Sequence, residues 1–210
     1  MPSIPFRLSR SWLAPVILAG TLAVGIGAAG AQDAPPVAVR GTITTVGADI
    51  LKIKTNRGTD IDVKLDGATG VRGVALANIA EIQPGRYIGT AAVPQPDGTL
   101  KALEVHIFPP EMAGTGDGHR PWDLTPNSSM TNGAVGDLVV ANGRTITVKY
   151  KQGEKKVVVP DDVPIVDLEP GDRSLLAAGT HVVLFARKDG DGALTALFIS
   201  AGRNGVTPPM

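Results

Sequence analysis

The sequence predicts an all-β protein, built as two tandem small five-stranded barrels behind an N-terminal signal peptide. Three observations carry this expectation. The chain contains itself twice: residues 41–63 reappear about 95 residues later as 136–158, and residues 97–105 return as 191–199. Short runs within each copy alternate apolar with polar side chains, the period-two pattern of strands with one buried face. Finally, 26 glycines and 17 prolines among 210 residues leave room for many turns and few long helices.

The elements follow in order. After a proline-containing lead-in at 32–38, the first copy spans 39–108 and opens with a strand from Val39 through Val46. Leu51, Ile53, Ile61, Val63 and Leu65 then alternate with charged neighbours, and the glycine-bearing turn Asn56-Arg57-Gly58 between the two runs makes them a hairpin. In that register Ile61, Val63 and Leu65 face the core while Asp60, Asp62 and Lys64 face water, since a slip of one residue would exchange the sets. Gly70 to Gly73 interrupts the alternation, and 75–82 reads as one short helical connection, closed by Pro84-Gly85. Two more strands, 86–93 and 100–107, meet at a turn holding Pro96-Asp97-Gly98. The second copy, 134–203, repeats the order, with a short helical segment at 173–178 and a last turn at Gly190-Asp191-Gly192; residues 204–210 form a tail.

Three strands, a short helical connection and two more strands in roughly 70 residues is the element order of a partly open barrel of the oligonucleotide/oligosaccharide-binding (OB) type. An SH3-like barrel has the same strand count, so the pattern leaves both topologies open. The recurring motif rests on Gly41, Ile82 to Gly85, and Asp97-Gly98 to Val105, and again on Gly136, Ala178-Gly179, and Asp191-Gly192 to Ile199. It resembles a domain family of unknown function, often found in tandem in exported bacterial proteins and similar to OB-fold barrels. The resemblance covers both copies but not the segment between them. It implies a fold and a periplasmic or secreted setting, and no activity.

Residues 1–31 read as a signal peptide: Arg7 and Arg10 precede an apolar run from Trp12 to Ala29, and Ala29-Gly30-Ala31 offers small residues for cleavage. An uncleaved anchor is the rival reading of that run, and no second apolar stretch of its length follows, so no stable membrane span is expected after cleavage. Twenty basic and 20 acidic side chains give a formal net charge of +0. Together with only 4% aromatic residues, this argues against a nucleic-acid surface, which needs a basic groove and stacking platforms. The absence of cysteine removes disulfides, thiol nucleophiles and thiolate metal sites.

Any function is expected in the Gly/Pro-rich joining loop, 109–133, which holds Trp122, the only tryptophan beyond the leader, with His119, Arg120 and Asp123. These four are the candidate ligand-binding residues. A tryptophan ring there either fixes the angle between two domains or meets a ligand. The expected function is therefore a non-enzymatic periplasmic binding or scaffolding protein without a cofactor, whose partner is an envelope protein or glycan. The alternative is a metal-binding accessory protein in which Glu104, His106 and His119 hold a divalent or cuprous ion, Glu104 and His106 sharing one strand face. Phe198 and Ser200 stand at the equivalent positions of the second copy, so such a site would belong to one copy only. Ser128, Ser129, His119 and Asp123 do not make a credible catalytic set on one Gly/Pro-rich loop, and the aspartates of Asp161-Asp162 and Asp189 to Gly192 read as turns rather than calcium loops.

Overall fold

The computed structural model describes residues 35–139 and 144–210. The expected signal peptide, 1–31, lies outside them. The described chain is all-β, and its strands join into one 13-stranded sheet. The first copy supplies β1 (Val37–Val46), β2 (Ile50–Thr55), β3 (Asp60–Lys64), β4 (Gly70–Leu76), β5 (Tyr87–Pro94) and β6 (Leu100–Ile107). After β7 (Gly118–Pro121) the order repeats as β8 (Ser129–Val139), β9 (Thr145–Tyr150), β10 (Gly153–Val158), β11 (Ile165–Pro170), β12 (His181–Lys188) and β13 (Leu194–Gly202).

Local pairing follows the alternation. β2 and β3 form the hairpin read from the sequence, with Leu51 opposite Val63 and Ile53 opposite Ile61. Gly58 takes a φ of 84° in its turn, a backbone conformation that costs glycine little and other residues more. Val63 and Leu65 are buried and Asp60, Asp62 and Lys64 exposed, as the register requires.

Long-range pairing does not keep the two copies apart. β1, β2 and β3 are closed into a ring by β12 and β13 of the second copy, through an antiparallel β1–β12 ladder and a short parallel β13–β3 contact. In the same way β8, β9 and β10 are closed by β5 and β6 of the first copy. Strands β4 and β11 carry the chain from one ring to the other and pair antiparallel where they cross. The boundaries expected at 39–108 and 134–203 are thus not boundaries of strand pairing: each five-stranded ring takes three strands from one copy and two from the other. OB-like and SH3-like tracings both assume a ring of consecutive strands, which neither ring is.

Three further expectations are corrected. Residues 75–82 are not an α-helix: Ala75 and Leu76 end β4, and only Ile79–Glu81 forms a 3-10 turn, capped by Asn78 with Glu81 reaching back. Its counterpart Arg173–Leu175 is likewise a single 3-10 turn, capped by Asp172. The joining loop is partly sheet, because β7 pairs with β8. The tail packs back on the chain: Met210 is buried, and its backbone oxygen accepts a hydrogen bond from Arg40 Nε at 2.9 Å.

The duplication is also offset differently at its start. Gly41 stands opposite Val182, and Gly133 opposite Ile88. Gly133, rather than the Gly136 suggested by the sequence, is therefore Gly41's equivalent, since 182 minus 88 is the 94-residue offset. A Cβ on Gly41 would overlap the Lys54 carbonyl oxygen, and one on Gly133 the Lys149 carbonyl oxygen, so close backbone approach demands glycine at both. The β8–β9 ladder then absorbs extra residues in an irregularity between Val135 and Leu138.

Each ring encloses its own aliphatic core. Ile43, Leu51, Ile53, Leu184 and Ile199 fill the first, and Ile88, Val105, Ile107, Ile146 and Val148 the second. Each such side chain contributes about 1.5–3 kcal/mol when fully buried. A third cluster, including Val74, Tyr87, Phe108, Met130, Leu168 and Met210, lies on neither interior. Among the described residues, no helix is long and apolar enough to cross a membrane.

Candidate functional site

The third cluster marks the candidate site. Strands β6, β11, β4 and β13 run side by side where the rings adjoin. Their ladders pair His106 with Val166, Val74 with Leu168, and Arg72 with Ser200. Residues paired directly across a ladder, and residues two apart on a strand, share a face. Glu104, His106, Leu168, Arg72, Phe198 and Ser200 therefore all project from one side of this sheet, while Val105 and Ile199 project into the ring cores.

That outer face is covered by the segment around β7 and by the tail, leaving a cavity of about 530 Å³ within the size range of small-molecule sites. Its lining comes from both copies, Arg72 and His106 from the first, Leu168, Phe185 and Phe198 from the second, and Met130 and Asn132 from β8. Arg120, Trp122 and Met210 belong to the cover. Phe185 and Phe198 stack with centroids 4.8 Å apart, and Trp122 leans on Phe185 at 5.9 Å.

Two guanidinium groups face this mostly apolar space. Arg72 lies over the Phe198 ring at 4.7 Å and approaches Met112 Sδ at 3.8 Å; desolvation holds its pKa below the ordinary value. Arg120 lies 5.4 Å from the Trp122 ring and donates to the Gly116 carbonyl at 2.8 Å, and burial lowers its pKa too. The Trp122 indole nitrogen is buried without a hydrogen-bond partner.

His106, in the cavity lining, belongs to a buried acid–imidazole pair. Glu104, 0% exposed, receives the Ala91 N–H on Oε1 at 2.6 Å and His106 Nδ1 on Oε2 at 2.9 Å. The Ala91 amide is free to do so because the β5–β6 ladder breaks register between Ala91 and Ala92. One proton shared between Glu104 Oε2 and His106 Nδ1 makes this hydrogen bond, and Nε2 is turned away from Glu104. Gly89 makes the arrangement possible, since a Cβ there would overlap Nε2 and lie 2.6 Å from Asn132 Oδ1. Asn132 is 4% exposed; its amide nitrogen donates to the Thr115 carbonyl at 3.0 Å and its oxygen has no partner.

Of the four binding residues read from the sequence, the structure brings two to the cavity, Arg120 and Trp122. His119 alternates to the opposite face of β7, where it bonds Thr131 Oγ1 at 2.8 Å and stacks on Tyr150 at 6.4 Å. Burial, reinforced by the Lys155 charge, holds its pKa below the usual imidazole value. Asp123 is spent on Arg40, which grips both carboxylate oxygens at 2.7 and 2.9 Å and ties the covering segment to β1.

The alternative metal set is not assembled: among the described residues no group of three potential ligands is placed to hold an ion. Glu104 and His106 are satisfied by each other, and His119 is engaged with Thr131. Ser128 Oγ lies 3.0 and 2.7 Å from the Trp122 and Thr125 carbonyls and shapes a turn. Asp189 and Asp191 likewise hold their own hairpin, accepting from Thr195 Oγ1 and the Ala193 N–H.

Sequence reasoning missed Arg72, Asn132, Phe185 and Phe198. For Phe185 and Phe198 the available signal was an aromatic ring at an unduplicated position inside a duplicated strand, as Phe198 is against Glu104. The chain matches no known protein-family model, no curated protein and no solved structure.

Proposed function

We propose that this is a non-enzymatic binding protein of the periplasm or extracellular space, and that its ligand is a small, largely apolar molecule held in the cavity outside the two rings. The carrying observation is the cavity of about 530 Å³, roofed by Trp122 and walled by Phe185, Phe198 and Leu168. Unpartnered polar atoms at its border, Trp122 Nε1 and Asn132 Oδ1, support the reading, because buried polar groups are otherwise paired. The basic, then apolar leader supports export. No enzymatic role is proposed: Glu104 and His106 are bound to each other and none of the residues named at the cavity pairs with them as a nucleophile.

The neutral probe N-phenyl-1-naphthylamine tests the proposal by fluorescence titration. Saturable one-to-one binding is expected, weakened at least tenfold by Ser200→Leu, which fills the cavity from its floor, and by Trp122→Ala, which removes its roof. A probe that does not saturate, or that binds Ser200→Leu as well as the parent chain, would remove the cavity from consideration.

A further inference from the structure

We propose that the cavity takes an amphiphile with a single carboxylate head on an apolar body, and that Arg72 is the anchor for that head. This inference rests on the binding role proposed above and adds the class of ligand. It starts from charge. Arg72 and Arg120 both line the cavity, and no lining residue is an aspartate or glutamate. The arginines around them are matched: Arg40 with Asp123, Arg86 with Asp167, and Arg203 with Glu169. Among the described residues neither Arg72 nor Arg120 has such a partner.

Arg72 is the sharper of the two. It stands on β4 in the middle of the sheet, and its contacts are a phenyl face and a thioether sulfur, neither of which satisfies a planar group with five N–H donors. A guanidinium remains charged in proteins, so this is a standing unpaired cation in a largely apolar setting. Such a charge is costly unless an anion reaches it. The buried carboxylate on β6, Glu104, is two strands away and already held by the Ala91 N–H and His106. The Met210 backbone oxygen is held by Arg40. The fork of a guanidinium matches a carboxylate through two parallel hydrogen bonds, which selects that head group over a neutral hydroxyl.

The rest of the cavity suits the body of such a molecule. Phe185 and Phe198 form a stacked wall, Met130 and Met210 are thioethers that adapt to irregular shapes, and Trp122 closes the roof. Arg120, lying on Trp122, supplies a second cation at the cover.

Matched ten-carbon probes test the assignment on the full chain by isothermal titration: decanoate, decanol and decylamine, each also competed against N-phenyl-1-naphthylamine to locate it. Decanoate is expected to bind at least tenfold tighter than decanol, and decylamine more weakly than either. Arg72→Gln should bring decanoate to within about twofold of decanol while leaving decanol unchanged, and Arg120→Gln should reduce the same preference by a smaller factor. The comparison of the three probes on the unaltered chain stands even where Arg72→Gln does not fold. Equal binding of acid and alcohol, or tighter binding of the amine, overturns the anion assignment while leaving the cavity as an apolar site. Failure of decanol and of the naphthylamine to bind overturns the cavity reading itself.

Discussion

Val74 and Leu168 face each other across the β4–β11 ladder, and each is the other's counterpart in the duplication, 168 minus 74 being the same 94 residues that separate 97 from 191. A local twofold relation therefore passes between them, and it relates the two rings through the strands that cross. Each copy hands its last hairpin to the other. Because the hairpins are near-duplicates, the exchanged and unexchanged arrangements would bury equivalent side chains in equivalent rings. What distinguishes the exchanged form is the sheet it creates at the crossing, and that sheet carries the third cluster and the cavity.

Cutting the chain in the exposed turn at Gly114 should therefore give two fragments that do not fold alone. Residues 35–114 would hold β1–β3 without the β12–β13 hairpin that closes their ring, leaving unpaired strand edges and half a core. Mixing the fragments during refolding should restore the far-ultraviolet circular dichroism of the intact chain. A fragment of 35–114 with well-dispersed amide resonances by itself would mean that β5 and β6 can close on β1–β3, and the exchange would lose its standing.

The Glu104–His106 pair should behave as a unit. Glu104→Ala strands the Ala91 N–H and His106 Nδ1 in a buried site, and loss of one partner of such a pair costs about 3–5 kcal/mol. Replacing both by leucine should cost clearly less than Glu104→Ala, since only the Ala91 N–H is then left unpaired and the space is refilled, and the second copy already uses Phe198 at the glutamate's place. Urea unfolding of the two variants, compared at constant slope, gives the measurement. A double variant less stable than Glu104→Ala would contradict the pairing.

Gly89→Ala isolates packing from charge beside the same pair. The added methyl meets His106 and Asn132 at once, and overpacking of this kind typically costs about 1–3 kcal/mol. His106→Ala should relieve most of that cost, so the two substitutions should be strongly non-additive in a double-mutant cycle. Additive effects would place the His106 ring elsewhere.

Much of the local structure was legible in the residues. Ile61, Val63 and Leu65 set their own register against Leu51 and Ile53, and Gly58, Gly98 and Gly192 mark turns with φ between 83° and 88°. Strands β4 and β11 were not legible. Arg72 and Val74 share a face with the cavity, while Val71 and Gly73 belong to the opposite one, so neither face shows the plain apolar–polar contrast of a half-exposed strand. The choice of ring partner was hidden for a different reason: the two hairpins share their length, turn and core-facing pattern, so local alternation does not distinguish which one closes a given ring. At the site, Trp122 was visible as a lone large ring in a loop. Arg72 was not, because nothing local separates a cavity arginine from a solvated one.

Tyr87 should make stability fall in alkaline solution. Its ring is 8% exposed and packs on Phe108 at 5.3 Å, and its hydroxyl lies 3.4 Å from Asp117 Oδ2. Burial, then the Asp117 charge, pushes its pKa from 10.0 up to about 12. The folded chain thus keeps a proton that the unfolded chain gives up. This contribution is complete below pH about 10 and is lost as pH rises toward about 12, with a slope of about 1.4 kcal/mol per pH unit between the two. Tyr87→Phe has no phenol to ionise, so its stability should decline less steeply through that window than the parent's. Ultraviolet absorbance should show the same delay as a phenol signal that the parent gains late in the alkaline titration and Tyr87→Phe lacks. Parallel alkaline stability curves for the parent and Tyr87→Phe would mean that the phenol reaches solvent, and that the segment carrying Asp117 does not close over it.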